Sequence, residues 1–97
     1  VSHSFEEAMS RVMAAYNSGN FEAAAFWTRC LPHFWRKLIE GICLCRLKDM
    51  SGGDASLWLA VGYASSRQQR NLVRLVILYF FRDFYGSQKD FIDSLKV

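Results

Sequence analysis

The stretch Ser66-Arg67-Gln68-Gln69-Arg70-Asn71-Leu72-Val73-Arg74-Leu75-Val76-Ile77-Leu78-Tyr79-Phe80-Phe81-Arg82-Asp83-Phe84-Tyr85 decides the fold class. Leu75 to Phe81 is an unbroken apolar run, which Leu72, Val73, Phe84 and Tyr85 extend on both sides. Its Val, Ile, Tyr and Phe content suits a buried strand on propensity alone. Length and end signals favour a helix. Ser66 with Gln69 three residues on is a capping-box pattern, and Gly86 is a C-terminal stop. The stretch therefore reads as a helix of about five turns, apolar on nearly its whole circumference in its second half. A helix of that kind must be surrounded, by the rest of the domain or by a partner.

The preceding segments also read as helices. Ser4 and Glu7 form a second capping-box pattern opening a helix to about Tyr16, with Met9, Val12, Met13 and Tyr16 on one face. Asn17-Ser18-Gly19-Asn20 ends it, Gly19 suiting a left-handed cap. Asn20 then caps a helix from Phe21 to about Leu31, whose Ala23, Ala24 and Ala25 permit a close neighbour. Pro32 divides this from a third helix, about His33 to Lys48, striped by Phe34, Leu38, Ile42 and Cys45. Gly41 marks a weak point in that helix or a place where another helix packs closely. Ser51-Gly52-Gly53 reads as a loop, with Asp54 capping a short fourth helix to about Ala64 that carries Leu57, Trp58, Val61 and Tyr63. After the long helix, Ser87 and Asp90 cap a last one with Phe91, Ile92 and Leu95.

The segment Tyr16-Asn17-Ser18-Gly19-Asn20-Phe21-Glu22-Ala23-Ala24 resembles the turn of a tetratricopeptide-type helical hairpin. The likeness covers residues 8–31. Val12 stands where that motif usually has glycine, Pro32 falls about four residues early, and no second copy appears at the roughly 34-residue period. The resemblance implies one helical hairpin and not a repeat array.

The expected architecture is all-α, a compact bundle or orthogonal array of about six helices around the central long helix. With 97 residues there is room for one core, so residues 1–97 read as a single helical domain, and the initial valine suggests a piece of a larger protein. At 52% hydrophobic and 15% aromatic, the chain is too apolar to be disordered. Its longest apolar run falls well short of the ~20 residues that span a bilayer. Three cysteines in helix-like segments point to free thiols and an intracellular setting, cytoplasm or nucleus.

Chemistry is hard to place on this chain. There is no phosphate-binding glycine loop, His-Glu-x-x-His or nucleophile elbow, so no catalytic residue is assigned and the chain reads as a non-enzyme. Cys43 and Cys45 point about 200° apart on a helix, and four zinc ligands at structural spacing are absent. No metal or cofactor is expected. The net charge is +3, with the basic residues concentrated between Arg29 and Arg74. Arg67, Arg70 and Arg74 form a stripe on the first half of the long helix. Trp27, Trp35 and Trp58, two of them paired with Phe26 and Phe34, supply apolar anchors of the kind favoured at interfaces. These six residues are the candidate partner-binding set. The expectation is a scaffold or adaptor module binding a protein partner, such as an amphipathic acidic helix, through an apolar and basic helical surface. Self-association through the same surface is a close variant. The alternative is a nucleic-acid-associated domain using the Arg67/Arg70/Arg74 stripe, although no recognition helix or aromatic RNA-binding signature accompanies it.

Overall fold

A computed structural model describes residues 4–82. The elements are α1 (Phe5–Asn17), α2 (Phe21–Trp27) with a 3-10 turn (Thr28–Cys30) appended, α3 (His33–Arg46), α4 (Met50–Tyr63) and α5 (Arg67–Phe81). No strand occurs among the described residues. The helix expected after Gly86 and the last residues of the long stretch, 83–85, lie outside them.

Side-chain caps start α1, α2 and α5 where the sequence places them. Ser4 Oγ accepts the Glu7 N–H at 3.1 Å, Asn20 Oδ1 that of Ala23 at 3.2 Å, and Ser66 Oγ that of Gln69 at 3.2 Å. Gln69 reaches back one residue further than in the usual capping box, its Oε1 accepting the Ser65 N–H at 2.7 Å.

The α1–α2 junction is a Schellman turn. Gly19 sits at φ 82, its N–H bonded to the Tyr16 carbonyl, while Asn20 N–H reaches the Ala15 carbonyl at 2.9 Å. The same device recurs 29 residues on, from Gly19 to Lys48. Lys48 takes the left-handed position at φ 70, its N–H bonds the Cys45 carbonyl, and Asp49 N–H bonds the Leu44 carbonyl at 2.9 Å. Asn20 and Asp49 each close one helix and cap the next, since Asp49 Oδ1 accepts the Gly52 N–H at 3.0 Å.

This second junction corrects the expected loop at Ser51–Gly53. Those residues form the first turn of α4, and its cap is Asp49 rather than Asp54. The glycines serve packing. A Cβ on Gly41 would lie 2.8 Å from Leu57 Cγ and 3.2 Å from the Gly53 carbonyl oxygen, and one on Gly53 would lie 3.0 Å from the Gly41 carbonyl oxygen. Two helices can touch backbone to backbone only where neither carries a side chain.

α3 has a core on each side. One cluster joins it to α1 and α2 through Ala8, Val12, Ala24, Leu31 and Cys43. The other joins it to α4 and α5 through Phe34, Leu38, Cys45, Leu57, Ala60, Val73, Ile77 and Phe81. Cys43 and Cys45, opposed around the helix, are buried in different clusters. The helix with neighbours on both sides is therefore α3. The long helix α5 buries the stripe Val73, Ile77 and Phe81 but leaves Leu75 63% and Tyr79 69% exposed. Among the described residues it has helices along one side only, so Leu72, Leu75 and Tyr79 face outward while Val76, Leu78 and Phe80 pack on the rim of the core.

Candidate functional site

Tyr16 at the end of α1, Ile42 and Arg46 in the last turns of α3, and Leu75, Val76, Tyr79 and Phe80 of α5 line a shallow groove of about 250 Å³. A second hollow of about 610 Å³ adjoins it, sharing Arg46, Tyr79 and Phe80 and adding Phe21, Cys45, Lys48 and Met50. Arg46 is where the two meet. Its Nε donates to the Tyr16 hydroxyl at 3.0 Å, and its guanidinium carbon lies 5.6 Å from the Tyr79 ring centroid and 5.3 Å from that of Phe80. Those rings meet edge to face at 4.9 Å, and Tyr16 and Phe21 do so at 5.1 Å. Hydrogen bonding to the Tyr16 hydroxyl first, with Tyr79 adding to it, holds the guanidinium above its ordinary pKa. The groove thus contains an oriented, permanent cation on an aromatic bed, with Lys48 beside it. No carboxylate lines either hollow among the described residues.

The candidates drawn from sequence do not gather into one patch. Trp27 is half-buried against the α1–α2–α3 cluster, with the Arg11 guanidinium 4.8 Å from its ring centroid, while its neighbour Phe26 is the exposed member of that pair. Trp35 packs against both clusters and lines a separate cleft with Phe5, His33 and Tyr63, in which His33 and Tyr63 stack at 5.0 Å. Trp58 is half-buried against the α3–α4–α5 cluster, its Nε1 donating to Asp54 Oδ1 at 3.1 Å. Arg67 is exposed, whereas Arg70 and Arg74 are half-buried, and Arg74 Nε is buried without a hydrogen-bond partner. The stripe therefore lies on the flank of α5 that turns toward the core, not on its open face.

Arg46, Tyr79, Leu75 and Tyr16 carry the groove, and sequence reasoning did not single them out. Arg46 and Tyr79 are thirty-three positions apart, and no local spacing connects them. The one usable signal was that Leu72, Leu75 and Tyr79 recur at three- and four-residue steps out of phase with Val73, Ile77 and Phe81.

No group of three or more His, Cys, Asp or Glu able to hold a metal occurs among the described residues. All three cysteines are free thiols. Burial first, then the Glu40 charge, pushes Cys43 up to about 11, and burial first, then Asp54 and Asp49, does the same for Cys45. Raised thiol pKa values contribute stability that is fully present below about 9 and is lost as pH rises toward and through about 11. At pH 8, iodoacetamide is expected to modify half-buried Cys30 in the native chain and to reach Cys43 and Cys45 only after unfolding. Mass spectrometry of peptides after timed labelling checks this, and equal labelling of all three cysteines would contradict the burial of the pair.

Comparison of the chain with protein-family models, curated proteins and solved structures finds no match.

Proposed function

We propose that this chain is a non-enzymatic protein–protein interaction module, of scaffold or adaptor type, which holds another polypeptide on the apolar and basic surface between α3 and α5. The observation that carries the reading is the exposure of Leu75 and Tyr79 beside the oriented Arg46 guanidinium. Singly exposed apolar residues are ordinary, but a contiguous apolar strip next to a fixed cation has the composition of an interface centre. The half-buried tryptophans support the walls of the module. Self-association through the same strip is the close variant, and an intracellular setting agrees with three free thiols.

A photocrosslinking residue tests this in cells. p-Benzoylphenylalanine placed at Tyr79 is expected to give a discrete polypeptide adduct that Leu75→Glu abolishes. The same probe at exposed Glu22 is expected to give none. Indistinguishable adduct patterns from the two positions, or persistence of the Tyr79 adduct in Leu75→Glu, would remove the proposal.

A further inference from the structure

Counted from the start of each helix, the second, sixth, ninth and thirteenth residues of α3 are Phe34, Leu38, Gly41 and Cys45. That is the face on which α4 lies: Gly41 meets Leu57 and Gly53, Cys45 meets Gly53, and Phe34 and Leu38 share the cluster of Leu57 and Ala60. The same positions of α5 are Gln68, Leu72, Leu75 and Tyr79. Their four-, three- and four-residue steps make a seam of coiled-coil spacing. On α5 no described helix covers it, and Leu72, Leu75 and Tyr79 are 37%, 63% and 69% exposed. The spacing of this face suits another helix, as the same face of α3 suits α4.

The charges choose among helices. The groove beside the seam presents Arg46 and Lys48 and no carboxylate. A second copy laid seam to seam would bring to Arg46 a face, Gln68, Leu72, Leu75 and Tyr79 with its adjoining groove, that offers no carboxylate among the described residues. A partner bearing carboxylates is attracted instead, and Arg46, already oriented by the Tyr16 hydroxyl, can take a carboxylate with little further ordering.

Resting on the interaction-module reading, we propose that the α5 seam seats an amphipathic acidic helix, its apolar residues along Leu72, Leu75 and Tyr79 and a carboxylate on Arg46. From Gln68 to Tyr79 the seam runs about 17 Å, or three helical turns. The occupant therefore needs only a short helix, with an acid placed beside its apolar stripe.

The test uses the full 97-residue chain and two synthetic helices of about 18 residues, stapled because isolated helices of that length are marginal in water. Both carry leucines at seam spacing; one has glutamates flanking the leucines, the other lysines. Fluorescence anisotropy is expected to show the glutamate helix binding at least tenfold more tightly than the lysine helix. Arg46→Glu should erase or reverse that preference, and Leu75→Glu should weaken the glutamate helix at least tenfold, with far-UV circular dichroism unchanged in both variants. Equal binding of the two helices, or of neither, overturns the proposal. So does tighter binding of a labelled oligothymidylate, which makes nucleic acid the occupant, or a sedimenting dimer lost in Leu75→Glu, which makes it a second copy. If the Tyr79 crosslink forms while both helices fail, the module reading stands and the acidic helix falls. If the crosslink is absent, both fall.

Discussion

Gly53→Ala is expected to destabilise the chain by about 2 kcal/mol, and Gly53→Val by more, although glycine is the poorest ordinary residue in a helix interior. Within α4, alanine for glycine would normally stabilise by roughly 0.5–1 kcal/mol. At Gly53 the new Cβ meets the Gly41 carbonyl oxygen at 3.0 Å and the Cys45 amide nitrogen at 3.2 Å. Backbone atoms of a packed helix cannot turn aside as a long side chain can. Relief requires α3 and α4 to separate, which loosens Leu57 and Cys45 behind the crossing. Gly62 in the same helix is the control, because nothing lies within 4 Å of a Cβ there. Gly62→Ala is expected to raise stability while Gly53→Ala lowers it. In thermal unfolding the two should move Tm in opposite directions, the loss at Gly53 being on the order of 10 °C for a domain of this size. Equal or same-signed shifts would mean that the glycines do not form the crossing.

Leu57→Ala is expected to cost about 3–4 kcal/mol, a large share of the roughly 5–15 kcal/mol that holds such a domain together. Leu57 is fully buried in the α3–α4–α5 cluster and fills the space that Gly41 leaves open. Removing it deletes transfer energy and leaves a cavity walled by helices that cannot close without spoiling the glycine crossing. Leu59, two residues along, is half exposed, and Leu59→Ala should change stability by no more than about 0.5 kcal/mol. Urea unfolding of the two variants separates them. Similar midpoints would show that α4 is rotated from the orientation described. The pair matters because the chain from Ala55 to Tyr63 is apolar at most positions, and periodicity alone does not say which leucine faces in.

The local signals were legible because their chemistry is local. A hydroxyl or amide oxygen three residues before an orphan N–H caps a helix wherever it occurs, so Ser4, Asn20 and Ser66 could be placed from sequence. Gly19 marked its turn for the same reason. The second junction was hidden because lysine is an unusual occupant of a left-handed position, and Gly52-Gly53 next to it looked like the break. A glycine pair tolerates a turn, but it also permits helices to touch, and sequence does not separate the two uses. The α5 arginines show a related limit. At three- and four-residue steps they describe a stripe, yet the stripe's direction depends on where the other helices lie, and Arg70 and Arg74 are half-buried.

Helix class, the caps of α1, α2 and α5, the free thiols and the wealth of aromatic side chains follow from residue chemistry within one or two turns, and these were set by the order of amino acids alone. The central place of α3, the glycine contact between α3 and α4, the outward turn of Leu75 and Tyr79 and the meeting of Arg46 with Tyr16 and Tyr79 arise from segments far apart in the chain. Those features depend on which faces pack when several apolar faces compete for too few neighbours. That competition is resolved only when all the helices are assembled together.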